Sequence, residues 1–189
     1  MGQFNSQYGV GLVEVMVALF LLAVAVLGFS ALNIVSIKAT DDSVLIANAN
    51  TVMRGLSEDL RLNPNNILAY QQDIQSTLGQ VSDTKDYCTA VAEYKTRNVK
   101  KNCDKDSCTA EQLAKYNSWS AMKQACDNGM LLNMFTCPGT ANKQLRQCII
   151  ASWDGTKPVF GANSDINKAC ADTSGIYHAG SDCMIMESY

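Results

Sequence analysis

A chain of 189 residues holds one modest domain plus a membrane or targeting element. Its formal net charge of −3 excludes a global basic field of the kind that attracts nucleic acid or anionic lipid. Eight cysteines, all beyond residue 87, exclude an ordinary reducing-compartment enzyme as the simplest reading and favour an oxidising one.

The first predicted element is a helix. Residues 15–37 carry no charge and are broken only by Gly28, Ser30, Asn33 and Ser36. At about 1.5 Å per residue this run covers the ~30 Å hydrocarbon core of a bilayer. It is longer than the apolar region of a secretory signal peptide, and no polar boundary ends it. Instead Leu45, Ala49, Val52, Met53, Leu56 and Leu60 continue at helical spacing, and the first proline is Pro64. The pattern predicts one helix over residues 11–62, apolar all round in its first half and one-sided in its second. Gly28 reads as a small residue that lets another helix come close.

At the front of this run, in the stretch GVGLVEVMVAL (residues 9–19), stands the lone carboxylate of Glu14. A carboxylate just inside a bilayer costs about 2–3 kcal/mol unless it is neutralised or paired. No lysine or arginine precedes Lys38, so a partner must come from elsewhere. Cleavage after Gly9 would create a cation on Val10, four residues from Glu14. That cation is better placed to reach a neighbouring copy than to bend back.

Further along, Ile67, Tyr70, Ile74 and Leu78 predict a second helix closed by Gly79. Thr109-Ala-Glu-Gln112 has the form of a capping box. Leu113, Tyr116, Trp119 and Met122 follow it at threes, and Asp127-Asn-Gly129 ends that helix. Strands are predicted at 131–136, 145–153, 158–160 and 183–186, with an Asp154-Gly155 turn. Helices first and strands later predict an α+β head, an antiparallel sheet packed on the long helix.

Cys88, Cys103, Cys108, Cys126, Cys137, Cys148, Cys170 and Cys183 read as disulfides. The chain has no Cys-x-x-Cys and a single histidine, His178, so a metal site is the poorer reading. Eight cysteines permit about 105 pairings, and the spacing does not choose among them. Between Glu93 and Asp106, Lys95, Arg97, Lys100, Lys101 and Lys105 outnumber three acidic residues, which reads as a solvated, disulfide-fastened loop. His178 reads as a surface imidazole, Trp119 and Trp153 as core residues, and Asp104-Lys-Asp106 as solvated loop. The chain contains no nucleophile elbow, phosphate-binding loop or zinc-protease helix motif, so neither an enzymatic activity nor a cofactor is expected.

The order glycine, four residues, glutamate and about twenty apolar residues resembles the class III signal of type IV prepilins. Gly55-Leu-Ser-Glu-Asp-Leu-Arg61-Leu-Asn63-Pro64, the segment from Cys108 to Trp119, and Cys148-Ile-Ile-Ala-Ser-Trp153 resemble PilV-type minor pilins, the type IV pilus modification proteins. The resemblance implies a type IV pilin fold with a leader at 1–9, an assembly helix at 10–37, an amphipathic helix at 38–62 and a disulfide-rich head at 63–189. It implies cleavage by prepilin peptidase between Gly9 and Val10, methylation of Val10, and pairing of Glu14 with the terminus of an adjacent subunit. The implied partners are inner-membrane lipid before assembly, then other minor pilins, the major pilin and a tip adhesin. DNA is a weaker candidate partner, because the basic segment is only slightly cationic. The implied location is the inner membrane with a periplasmic head, and later the pilus. A type II secretion pseudopilin and an uncleaved membrane-anchored binding module are the rival readings.

Overall fold

The computed structural model describes residues 11–79, 84–140, 145–162 and 168–188. Helix α1 runs unbroken over Leu12–Leu62. Two compact units divide at Val44 and Leu45, so the boundary falls inside this helix.

The first unit is helical from Leu12 to its boundary, and none of its described residues is buried. Three of its hydroxyls are satisfied locally. Ser30 Oγ donates to the Val26 carbonyl at 2.8 Å, Thr40 Oγ1 to Ser36 at 2.9 Å, and Ser43 Oγ to Ala39 at 2.8 Å. Such i−4 bonds let hydroxyls sit in apolar surroundings without an orphaned donor. A Cβ added at Gly28 would meet nothing within 4 Å, so nothing in this chain requires glycine there.

The second unit begins with the amphipathic half of α1. Ala49, Val52, Met53, Leu56 and Leu60 are buried in the common core, with Leu45 partly buried against it. The helix stops because Pro64 disfavours the helical conformation at Asn63. A single 3₁₀ turn, Pro64–Asn66, leads into α2 (Ile67–Leu78), which buries Tyr70, Ile74 and Thr77 and ends at Gly79.

Helix α3 (Thr84–Asn98) was not expected. Glu93, Lys95 and Arg97 of the supposed charged loop lie on it, and it buries Tyr87, Val91 and Tyr94. Those three side chains fall four and three residues apart, one apolar stripe on an otherwise charged helix.

Helix α4 (Ala110–Asp127) starts at the expected capping box: the Gln112 amide donates to Thr109 Oγ1 at 3.3 Å and the Thr109 amide to Gln112 Oε1 at 3.1 Å. Its buried face is Ala114, Ser118, Ala121, Met122 and Ala125, whereas Leu113, Tyr116 and Trp119 are only half-buried. Residues three apart drift about 60° per step around a helix of 3.6 residues per turn, so a run of threes cannot stay on one face. The helix ends in a Schellman motif. The Gly129 amide donates to Cys126 and the Met130 amide to Ala125, both at 2.9 Å, with Gly129 at φ +72°.

Strands β1 (Leu131–Thr136), β2 (Gln147–Ser152), β3 (Lys157–Phe160), β4 (Ala169–Ala171) and β5 (Cys183–Ser188) complete the unit. An antiparallel sheet has the order β1-β2-β5, with Asn133 opposite Ile150 and Ile150 opposite Ile185. Every residue of β2 is buried, as a central strand covered on both faces requires. The α+β reading with an antiparallel sheet therefore holds. A short parallel pair, β3 with β4, is added to it. After β2, Trp153 is buried and the chain reverses through Asp154 and Gly155 at φ +48° and +76°, as an Asp-Gly turn does.

Four disulfides join Cys88 to Cys126, Cys103 to Cys108, Cys137 to Cys148 and Cys170 to Cys183. The first ties α3 to α4, the second closes the loop before α4, the third links the end of β1 to β2, and the fourth joins β4 to β5.

Candidate assembly site

The start of α1 carries the candidate site. The Glu14 amide donates to the Gly11 carbonyl at 3.0 Å and the Val15 amide to the same oxygen at 3.3 Å, closing the first helical turn. Glu14 thus lies in the first turn of α1, with its side chain exposed. A carboxylate there faces the positive end of the helix dipole, worth about 0.3–1 kcal/mol at an exposed position. This favourable placement has a local cause that spacing alone did not reveal. Gly9 and Val10, the expected cleavage and methylation positions, lie outside the described residues, as does the whole leader at 1–9.

Behind Glu14, Leu12, Met16, Phe20, Leu27, Leu32 and Ile34 are each more than 60 % exposed. An aqueous surface helix shows one apolar face; this one is apolar on every side, so its surroundings must be lipid or other helices. It is long and apolar enough to cross a membrane.

The other candidate residues lie among the described residues of the head. No cluster of histidine, cysteine, aspartate or glutamate there could hold a metal ion. Of the basic segment, Arg97 pairs with Glu93 at 2.6 Å, Lys95 Nζ lies 4.5 Å from the Trp119 ring centroid, Lys100 Nζ donates to Thr96, and Lys101 Nζ to Ser107. These cations serve local contacts. Trp119 is partly buried against the hydrophobic core, with Lys95 over its ring. Asp104 accepts from the Tyr116 hydroxyl at 2.5 Å, which fixes the Cys103–Cys108 loop on α4. His178 is half-buried, its Nε2 2.8 Å from the Gly161 carbonyl, so it is a fastened loop residue and not a free surface imidazole.

Three other features escaped the sequence reading. Asn63 is buried and its Nδ2 donates to the Ala110 carbonyl at 2.7 Å, while Asn66 Nδ2 donates to Asn63 Oδ1 at 2.8 Å. The Asn63-Pro64 pair thereby ends one helix and positions another. Nearby, partial burial pushes the Asp59 carboxyl up to about 6. At the opposite extreme, the amides of Ile176 and Ser174 hold the Asp172 carboxyl below its usual range.

Comparison with known families gives two adjoining matches. Residues 31–119 match the Tt1218-like family, described as type IV pilin Tt1218, and residues 4–30 match the prokaryotic N-terminal methylation motif. No curated protein and no solved structure matches the chain. The fold and the two matches fit a pilin, a filament subunit with a long apolar amino-terminal helix. Together they support a type IV pilin with an N-terminal methylation motif, and such a motif implies processing by prepilin peptidase and assembly with other pilins.

Proposed function

We propose that this pilin is a PilV-type minor subunit that acts without catalysis in starting and building the type IV pilus. In this reading prepilin peptidase removes residues 1–9, Val10 becomes the methylated terminus, and residues 10–37 leave the inner membrane to pack among other pilins. Residues 38–62 and the head at 63–189 face the periplasm first and the filament surface afterwards. Glu14 neutralises the amino terminus of an adjacent subunit. Such a pair is favoured in a low-dielectric bundle, where either charge alone is heavily penalised. Through pilus assembly the protein would support twitching motility, adhesion or DNA uptake.

The observation that carries this reading is the exposed Glu14 in the first turn of a helix that is apolar on all sides, within the matched methylation motif. Mass analysis of the mature chain is the test. The expected product begins at Val10 and carries one added methyl group. A mature chain that keeps residues 1–9 overturns the reading and leaves a tethered binding module. Deleting the gene separates the pilus from its rival: loss of surface pili with intact exoprotein secretion is expected, and the reverse points to a type II secretion pseudopilin.

A further inference from the structure

The antiparallel sheet has two edge strands, and each is met by one side chain from outside the sheet. On β1, Gln75 Nε2 of α2 donates to the Met134 carbonyl at 2.8 Å. On β5, the Ile185 amide donates to the Tyr177 hydroxyl at 2.9 Å. In an antiparallel ladder, backbone groups alternate between the neighbour and the open side. Since the Ile185 amide points away from β2, those of Cys183 and Glu187 do so too. An edge with outward amides is a template for another strand, and proteins protect such edges.

We infer that β5 is a latent strand-addition surface, held shut by the Tyr177 hydroxyl, whose fitting partner is the β5 edge of a second copy of this chain. Self-pairing centred on Ile185 sets Ile185 against Ile185 and Glu187 against the neutral Cys183. Apolar residues then face each other and no like charges are opposed, the arrangement that cross-strand pairing favours. Tyr177 is half exposed, while Pro138, Phe160 and Ile185 line a cleft of about 270 Å³ beside it. Displacing the ring from Ile185 frees the amide and opens this cleft, part apolar and part polar, to the incoming strand. The guard is therefore one hydrogen bond and one ring, both supplied by a single side chain.

The test compares the full chain in detergent micelles with Tyr177→Phe, which keeps the ring, and Tyr177→Ala, which removes it. Light scattering gives the protein mass over a concentration series, and amide exchange is read at Ile185 and Glu187. The wild type is expected at one chain per micelle. Tyr177→Ala should double that mass with rising concentration and slow exchange at both amides, with Tyr177→Phe shifted in the same direction by less. Adding Glu187→Pro, which removes an outward amide at a position where an edge strand accepts proline, should restore the single chain. The inference is overturned if both Tyr177 variants stay at one chain per micelle, if the doubled mass survives Glu187→Pro, or if the wild type is already paired through β5. Should Tyr177→Ala fail to fold, Tyr177→Phe decides alone.

Discussion

Asn63 donates from its side chain to the Ala110 carbonyl, 47 residues away, at 2.7 Å. One buried amide thus holds the end of α1 to the start of α4. Replacing Asn63 with alanine leaves that carbonyl and Asn66 without their partner. The expected loss is about 0.5–1.5 kcal/mol of head stability, the net worth of a hydrogen bond, because Ala110 lies exposed in the first turn of α4. Chemical denaturation of the variant measures it, and an unchanged midpoint would show that water replaces the bond at no cost.

Glu14 offers a separate test, because its proposed partner lies in another molecule. Glu14→Gln keeps size and removes charge, so it should enter sheared pili several-fold less than wild type while membrane levels stay similar. A buried charge left alone by such a change is penalised by about 3–5 kcal/mol, far more than an exposed pair is worth. Equal recovery of variant and wild type in the sheared fraction would leave the charge without an assembly role.

The disulfides differ in what they enclose. Cys88–Cys126 spans 38 residues and Cys103–Cys108 spans 5. Loop-closure entropy gives about 4 kcal/mol for the first and about 2 kcal/mol for the second. The double serine variant at Cys88 and Cys126 should therefore melt well below the one at Cys103 and Cys108. Calorimetry on both would settle the order, and the reverse order would mean that local fastening of the α4 cap outweighs chain entropy.

Asp59 should make the head more stable as the solution is acidified. Its carboxyl is pushed up to about 6 from 3.8, so the folded state binds the proton more tightly than the unfolded chain does. The stabilisation is complete below the unfolded value and is lost as pH rises through about 6. Half-exposure screens the effect to roughly 1 kcal/mol. The difference in stability between wild type and Asp59→Asn, measured from pH 4 to 8, isolates this group. A pH-independent difference would remove Asp59 as its source.

Much of this architecture is written in local pattern. A proline-free run up to Pro64 foretells α1, and the reciprocal geometry of Thr109 and Gln112 marks the start of α4. What escaped depends on partners far away in sequence. Helix α3 hides three buried contacts, Tyr87, Val91 and Tyr94, among polar and charged residues. Strand β4 has only three residues, Ala169, Cys170 and Ala171, too few for an alternating signal. On α4 the large side chains suggest the packed face, yet of them only Met122 is buried, and small ones, Ala114, Ser118, Ala121 and Ala125, form the rest of the seam. Cysteine pairing is a long-range matter that spacing cannot encode. Glu14 was legible for the opposite reason: a single charge with no local cation needs no tertiary information to stand out.

Strand β5 is anchored at both extremities. Cys183 at its start is covalently bound to Cys170, and Ser188 at its finish lies 2.8 Å, hydroxyl to hydroxyl, from Ser57 of α1. A tensile load entering β5 therefore cannot peel its ladder one rung at a time from the Cys183 side, because a covalent bond intercepts it first. Separation has to begin instead at the Ser188 side, where the contact with Ser57 parts first. For a filament subunit under load, the order in which the strand gives way is thereby fixed from one end.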